Sequence, residues 1–159
     1  MDQEMKPIEK QSITEILSQT NLLSMATIKD GKEAWINTVC FSFTDDFNLY
    51  FLTYPTAQHS QNIIKNNSVA ITVFDTHQEP KKRGLQIFGI CQKVEGLELA
   101  KAINNYAARF PWLPKYIKKP EDFAKTVLTS RFYVTRPKTI KIFDEKLFGE
   151  ETWVTVNIE

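Results

Sequence analysis

The chain has 159 residues, 42% apolar and 25% charged, ordinary values for a globular protein with room for a core. Its 20 basic and 19 acidic side chains leave a net charge of +1, so its overall balance does not draw it to nucleic acid or an anionic membrane. Cys40 and Cys91 lie in apolar runs, with His59 and His77 as the only histidines; this spells out neither a disulfide framework nor a zinc motif.

The first eleven residues are polar and charged, so no secretory leader is expected, and no apolar run approaches a membrane span. Reduced cysteines make the cytoplasm the expected compartment. Residues 7–19 predict a helix with Ile8, Ile13, Ile16 and Leu17 as its apolar stripe and Ser12 with Glu15 at capping-box spacing. A short strand over 22–28 follows. Lys29-Asp30-Gly31-Lys32 is the clearest hairpin signal, because Asp-Gly tolerates the positive φ angles of a tight turn. Residues 33–43 predict a long strand. Trp35, Asn37, Val39, Phe41 and Phe43 share one face and Ala34, Ile36, Thr38 and Cys40 the other. Thr44-Asp45-Asp46 turns the chain into a third strand over 48–53, completing a meander.

A proline turn then leads to a helix over 57–67, a strand over 69–74, a polar loop ending in Lys81-Lys82-Arg83, and a strand over 84–94. Residues 96–110 predict a helix with Leu99, Ile103, Tyr106 and Phe110 on one stripe. A Pro-rich stretch over 111–120, a short helix over 121–128, and strands over 131–143 and 152–157 complete the chain. Parallel strands would need a crossover after nearly every strand, and the opening hairpins forbid that. The expected fold is mainly β with peripheral helices, an antiparallel barrel. No repeat or linker divides the chain, so one domain over 1–159 is expected. It comprises an N-terminal helix (1–20), a barrel core (22–94), a helical insertion (96–128) and closing strands (130–157).

Several segments carry site signals. In Thr53-Tyr54-Pro55-Thr56-Ala57-Gln58-His59-Ser60 a strand ends, proline turns the chain, and a helix starts. Thr56 is placed to cap that helix, whose free amides and positive dipole end suit a phosphate, with Gln58, His59 and Ser60 as side-chain donors. A capped surface helix without a ligand reads the same way. Trp35-Ile36-Asn37-Thr38-Val39 mixes polar and apolar residues mid-strand. Its backbone suits the edge of a flat heteroaromatic ring, with Ile36 or Val39 over the ring face; an ordinary barrel strand is the plainer reading. Lys81-Lys82-Arg83 before Gly84-Leu85-Gln86 offers charge for a phosphate, although a basic triplet is more often a solvated loop. Trp153 and Arg109-Phe110-Pro111-Trp112 are further aromatic candidates, usually core or dimer contacts. No Ser-His-Asp, Cys-His or paired-carboxylate spacing supports side-chain catalysis by itself.

The order of these pieces, from Leu22-Leu23-Ser24-Met25-Ala26-Thr27-Ile28 through Asp30-Gly31, Leu49-Tyr50-Phe51-Leu52-Thr53 and Val69-Ala70-Ile71-Thr72-Val73 to Trp153, resembles the split barrels of the pyridoxamine 5'-phosphate oxidase superfamily. The resemblance implies an FMN-binding split β-barrel, a homodimer with flavin mononucleotide in clefts between subunits. The isoalloxazine ring would lie against Ile36, Asn37, Thr38, Val39, Leu52 and Thr53. The phosphate would lie at Thr56, Gln58, His59 and Ser60. Arg83, Gln86 and Trp153 join the expected cofactor set. Where that superfamily places an Arg-Lys pair in the phosphate turn, this chain has Gln58-His59, which removes strong charge-assisted bonds. The basic residues that the oxidase itself carries on the second strand are absent from residues 34–39, so the oxidase reaction is not expected.

The function these readings support is an FMN-dependent oxidoreductase acting on a small molecule, the cofactor supplying the redox chemistry. The alternatives are a non-catalytic binder or sensor of flavin, haem or another flat cofactor, and a barrel that acts by protein contact alone.

Overall fold

The computed structural model describes residues 4–77, 80–112 and 131–158. Its elements are α1 (Pro7–Gln19), β1 (Leu22–Lys29), β2 (Glu33–Phe43), β3 (Leu49–Leu52), α2 (Gln58–Lys65), β4 (Ser68–Phe74), β5 (Arg83–Lys93), α3 (Leu97–Arg109), β6 (Phe132–Asp144), α4 (Glu145–Phe148) and β7 (Trp153–Asn157). The expected helix over 121–128 and most of the Pro-rich stretch lie outside the described residues. The four-residue helix α4 was not expected. Asp144 caps it by accepting from the Lys146 and Leu147 amides.

All strand pairings are antiparallel, in the order β3-β2-β1-β4-β5-β6-β7, and β3 also pairs with β6. Six strands therefore close into a ring-like sheet, and β7 lies outside it. The first half of β6, Phe132 to Thr135, pairs with β3; the second, Thr139 to Phe143, pairs with β7 along the same edge. Pro137 stands between the two halves, where a missing amide interrupts neither ladder. On the opposite edge of β6 the register slips between Phe88 and Gly89, beside Pro137. A side chain on Gly89 would meet the Arg136 carbonyl oxygen at 2.6 Å, so only glycine allows this close approach.

The hairpin between β1 and β2 has the expected turn, with Asp30 at φ 50 and Gly31 at φ 76. Inside the ring, Leu23, Met25, Phe41, Leu49, Phe51, Val69, Ile71, Val73, Leu85, Ile87, Ile140 and Ile142 form the main core. Helix α1 covers the end of the ring where β5 starts and β6 finishes, contributing Ile13, Ile16 and Leu17. Its buried stripe is Glu9, Ser12, Ile13, Ile16 and Leu17, so Ile8, 40% exposed, drops out of the expected face. The expected capping box at Ser12 and Glu15 is also corrected. The helix begins at Pro7, and its N-cap is Lys6, six residues before Ser12; the Lys6 amide donates to Glu9 Oε2 at 2.8 Å. Helix α2 follows β3 and packs mainly on β1 at the opposite end. Outside the ring, α3 lays Ala102, Tyr106 and Phe110 over Tyr50, Phe132 and Val134, forming a second core. Among the described residues no helix is long and apolar enough to cross a membrane.

Candidate functional site

The strongest site geometry lies at the α2 end of the ring. Strand β3 pairs with β2 only over Phe41 to Phe43 and then stops at Leu52. From Glu33 to Cys40, β2 therefore has β1 on one edge and no strand on the other among the described residues. Phe41 donates its amide to Asn21 on the β1 side. By the alternation of an antiparallel strand, the main-chain groups of Ile36 and Thr38 then face the open edge.

Asn37 and Val39 point inwards beside Met25 and Leu23. The Asn37 Nδ2 and Oδ1 atoms are both buried without a partner. A buried amide left unpaired is rare. Ile36 and Thr38 point outwards. Ile36 is 70% exposed, while Thr38 Oγ1 pairs with Ser24 Oγ at 2.9 Å.

The turn after Leu52 is tied together by its own side chains. Thr53 Oγ1 lies 2.7 Å from His59 Nε2, Ser60 Oγ donates to the Tyr54 carbonyl at 2.8 Å, and Gln61 donates to the Pro55 carbonyl at 2.7 Å. Gln58 donates to Asn62, which in turn donates to Thr27 and anchors α2 to β1. Thr56 is exposed and does not cap the helix. Ala57 holds that position without a side-chain bond, so the capping expectation for Thr56 is corrected. The first amides of α2, those of Gln58, His59 and Ser60, thus gain no cap. They remain available to an anion. Burial lowers the pKa of His59, so it is neutral near pH 7. Leu52 leans outwards against the second core.

The structure therefore brings Asn37, Val39, Thr53, Gln58, His59 and Ser60 to one end of the ring and places Ile36, Thr38 and Leu52 close by. It does not bring Arg83 or Trp153 there in the same chain. Leu52 pairs with Phe132 at the start of β6, whereas Trp153 pairs with Phe143 and Arg83 with Asp144 at its far end, about 35 Å away along the strand. Trp153 stacks on Phe143 with centroids 4.3 Å apart, and the Lys141 ammonium lies 4.3 Å from its ring. Arg83 is engaged within its own chain. Its guanidinium is buried against Asp144 and Glu15, each 2.8 Å away. Lys81 pairs with Glu150 at the surface. Gln86 lies on the outer sheet face in an open groove with Ile36, Ala70, Thr72 and Phe88.

Sequence reading passed over one cation at the turn, Arg131. Its carbonyl accepts the Thr53 amide at 3.1 Å, and its guanidinium lies 4.4 Å from the centroid of the Tyr54 ring. Only the β3–β6 pairing brings it there.

A family model described as pyridoxamine 5'-phosphate oxidase matches residues 10–135 of the chain. The chain belongs to this family. A search of curated proteins finds no match. Among solved structures, the chain is similar to a haem binding protein from Mycobacterium smegmatis. The TM-score is 0.74 at 16% identity, covering 96% of this chain and 59% of that one. It is also similar to a haem storage protein from Vibrio cholerae, with TM-score 0.64 and 17% identity over 86% of this chain and 91% of the other. An FAD-binding protein from Mesorhizobium loti gives TM-score 0.59 and 17% identity over 86% of this chain and 92% of the other. This chain spans less than two thirds of the M. smegmatis protein. At such identities the likeness shows a pyridoxamine 5'-phosphate oxidase-like fold, a mainly antiparallel ring-like sheet with peripheral helices.

Proposed function

We propose that this chain binds flavin mononucleotide between two copies of itself and acts as an FMN-dependent oxidoreductase on a small molecule. The observation that carries this reading is the unpaired edge of β2, with the unsatisfied Asn37 amide, set beside the uncapped N-terminus of α2. Main-chain groups of Ile36 and Thr38, with Asn37 and Val39, would hold the edge and face of the isoalloxazine ring. Thr53 and the amides of Gln58, His59 and Ser60 would meet the ribityl chain and phosphate. Bound flavin would supply the electron or hydride transfer. The protein's part is to position the ring and exclude water. Donors at the ring edge would favour the reduced, negatively charged form.

The dimer reading rests on the outer face of the sheet. Ile36, Phe74, Phe88 and Trp153 are all more than 40% exposed there, beside Ala26 and Ala70. Large apolar side chains so grouped mark an interaction surface. A second copy on this face would also supply Gln86 and Trp153 to the cleft of its partner, the route by which these residues would join the site.

The absorption spectrum of freshly purified protein tests the reading directly. A flavin band is expected, with bleaching under anaerobic reduction by a nicotinamide donor. A flavin that binds but is never reduced would leave a binder without turnover. A haem band in place of flavin would instead favour a haem carrier, the reading suggested by the two haem proteins of similar fold.

A further inference from the structure

We infer that Arg131 is the cation that reads the cofactor phosphate in this chain, replacing the charge absent at Gln58 and His59. This rests on the flavin reading above and concerns the selection of FMN over riboflavin. A phosphate dianion in a partly desolvated turn needs positive charge as well as neutral donors. The turn itself offers none. Gln58 is bonded to Asn62, Ser60 to the Tyr54 carbonyl, and His59 is a neutral partner of Thr53. Within the same chain Arg83 lies at the opposite end of the ring, locked to Asp144 and Glu15, and Lys81 is paired with Glu150.

Arg131 is bound to the turn through its own main chain, where its carbonyl receives the Thr53 amide. The guanidinium rests on the Tyr54 ring at 4.4 Å and has no carboxylate partner among the described residues. A guanidinium on an aromatic face keeps its donor edges free, so stacking orients it without using its hydrogen bonds. Tyr54 in turn is fixed by its carbonyl, which accepts from the Ala57 amide at 3.0 Å and from Ser60 Oγ. The turn and the residue paired to it thus hold two parts of an anion site: the uncapped amides of α2 and an oriented cation.

The test compares FMN and riboflavin affinity, by quenching of flavin fluorescence, in the parent protein and in the Arg131→Gln, Arg131→Lys and Tyr54→Leu variants. Arg131→Gln is expected to weaken FMN about ten- to a hundredfold and to leave riboflavin affinity unchanged. Its FMN affinity should also become less dependent on salt. Arg131→Lys should recover part of the loss, and Tyr54→Leu should lose less than Arg131→Gln. Riboflavin binding doubles as the check that each variant is folded. Unchanged FMN affinity in Arg131→Gln, or an equal loss for both flavins, overturns the assignment and leaves the flavin reading intact. A parent protein that binds the two flavins equally has no phosphate site, which also overturns it. A parent that binds neither overturns both readings.

Discussion

Arg83 and Asp144 face each other across β5 and β6 in a two-pronged ion pair, Nε to Oδ1 at 2.9 Å and Nη2 to Oδ2 at 2.8 Å. Ser12 of α1 donates to the same carboxylate and Glu15 takes the remaining Arg83 edge. The cluster fastens α1 to the end of the ring. Removing one partner strands a buried charge, so Arg83→Met or Asp144→Ala should each lower stability by about 3–5 kcal/mol, measured by urea unfolding. Loss of less than 1 kcal/mol would mean that the pair is dispensable.

The same pair sets an acid limit. Burial opposes ionisation of Asp144, but the bonds from Arg83 and Ser12 outweigh it and lower its pKa. A carboxylate lowered in the folded state stabilises above its unfolded pKa, about 4, and that contribution fades as pH falls through the lower folded value. Unfolding free energy should therefore drop below about pH 4, and Asp144→Asn should flatten that limb.

The neighbouring lysines behave otherwise. Lys81 forms an exposed pair with Glu150 at 3.5 Å. Replacing Lys81 and Lys82 together with Ser should change stability by no more than about 0.5 kcal/mol and leave FMN affinity as in the parent. A clear loss of FMN affinity would return the triplet to the phosphate site.

His59 gives a second pH signature with its own sign. Burial lowers its folded pKa below the ordinary value of 6.5. The unfolded chain then takes up the proton first as pH falls. Its contribution to stability is complete above about pH 6.5 and declines below it. His59→Gln should remove that slope between pH 5 and 7, a window set by the ordinary histidine value of about 6.5. An unchanged slope would show that His59 titrates as it does in the unfolded chain.

On the outer face, Ile36→Asp or Phe88→Asp should weaken self-association by about 2 kcal/mol or more, read by analytical ultracentrifugation. FMN affinity should fall in parallel, because the proposed cleft needs both copies. A parent that sediments as a monomer at micromolar concentration would remove the dimer and with it the shared cleft.

Gly89→Ala tests the register slip at β6. The added carbon would press on the Arg136 carbonyl at 2.6 Å. A loss of about 1–3 kcal/mol is expected, with thermal unfolding as the measure. An unaffected midpoint would mean that the strands separate there without strain.

The local chemistry of the sequence by itself determined most of the elements. Asp30-Gly31 dictates its turn because only residues tolerant of positive φ fit there. The strand expected over 69–74 forms as β4, because a run of β-branched and apolar residues fits a pleated sheet. The proline turn into α2 was legible as well. Sequence could not decide how strands far apart in the chain meet. The β3–β6 pairing carries Arg131 to Thr53, and the β5–β6 pairing carries Arg83 to Asp144. Within one chain, one cation is thereby placed at the candidate phosphate turn and the other at the opposite end of the ring. Spacing along the chain holds no trace of either outcome, because both depend on which edges close the ring.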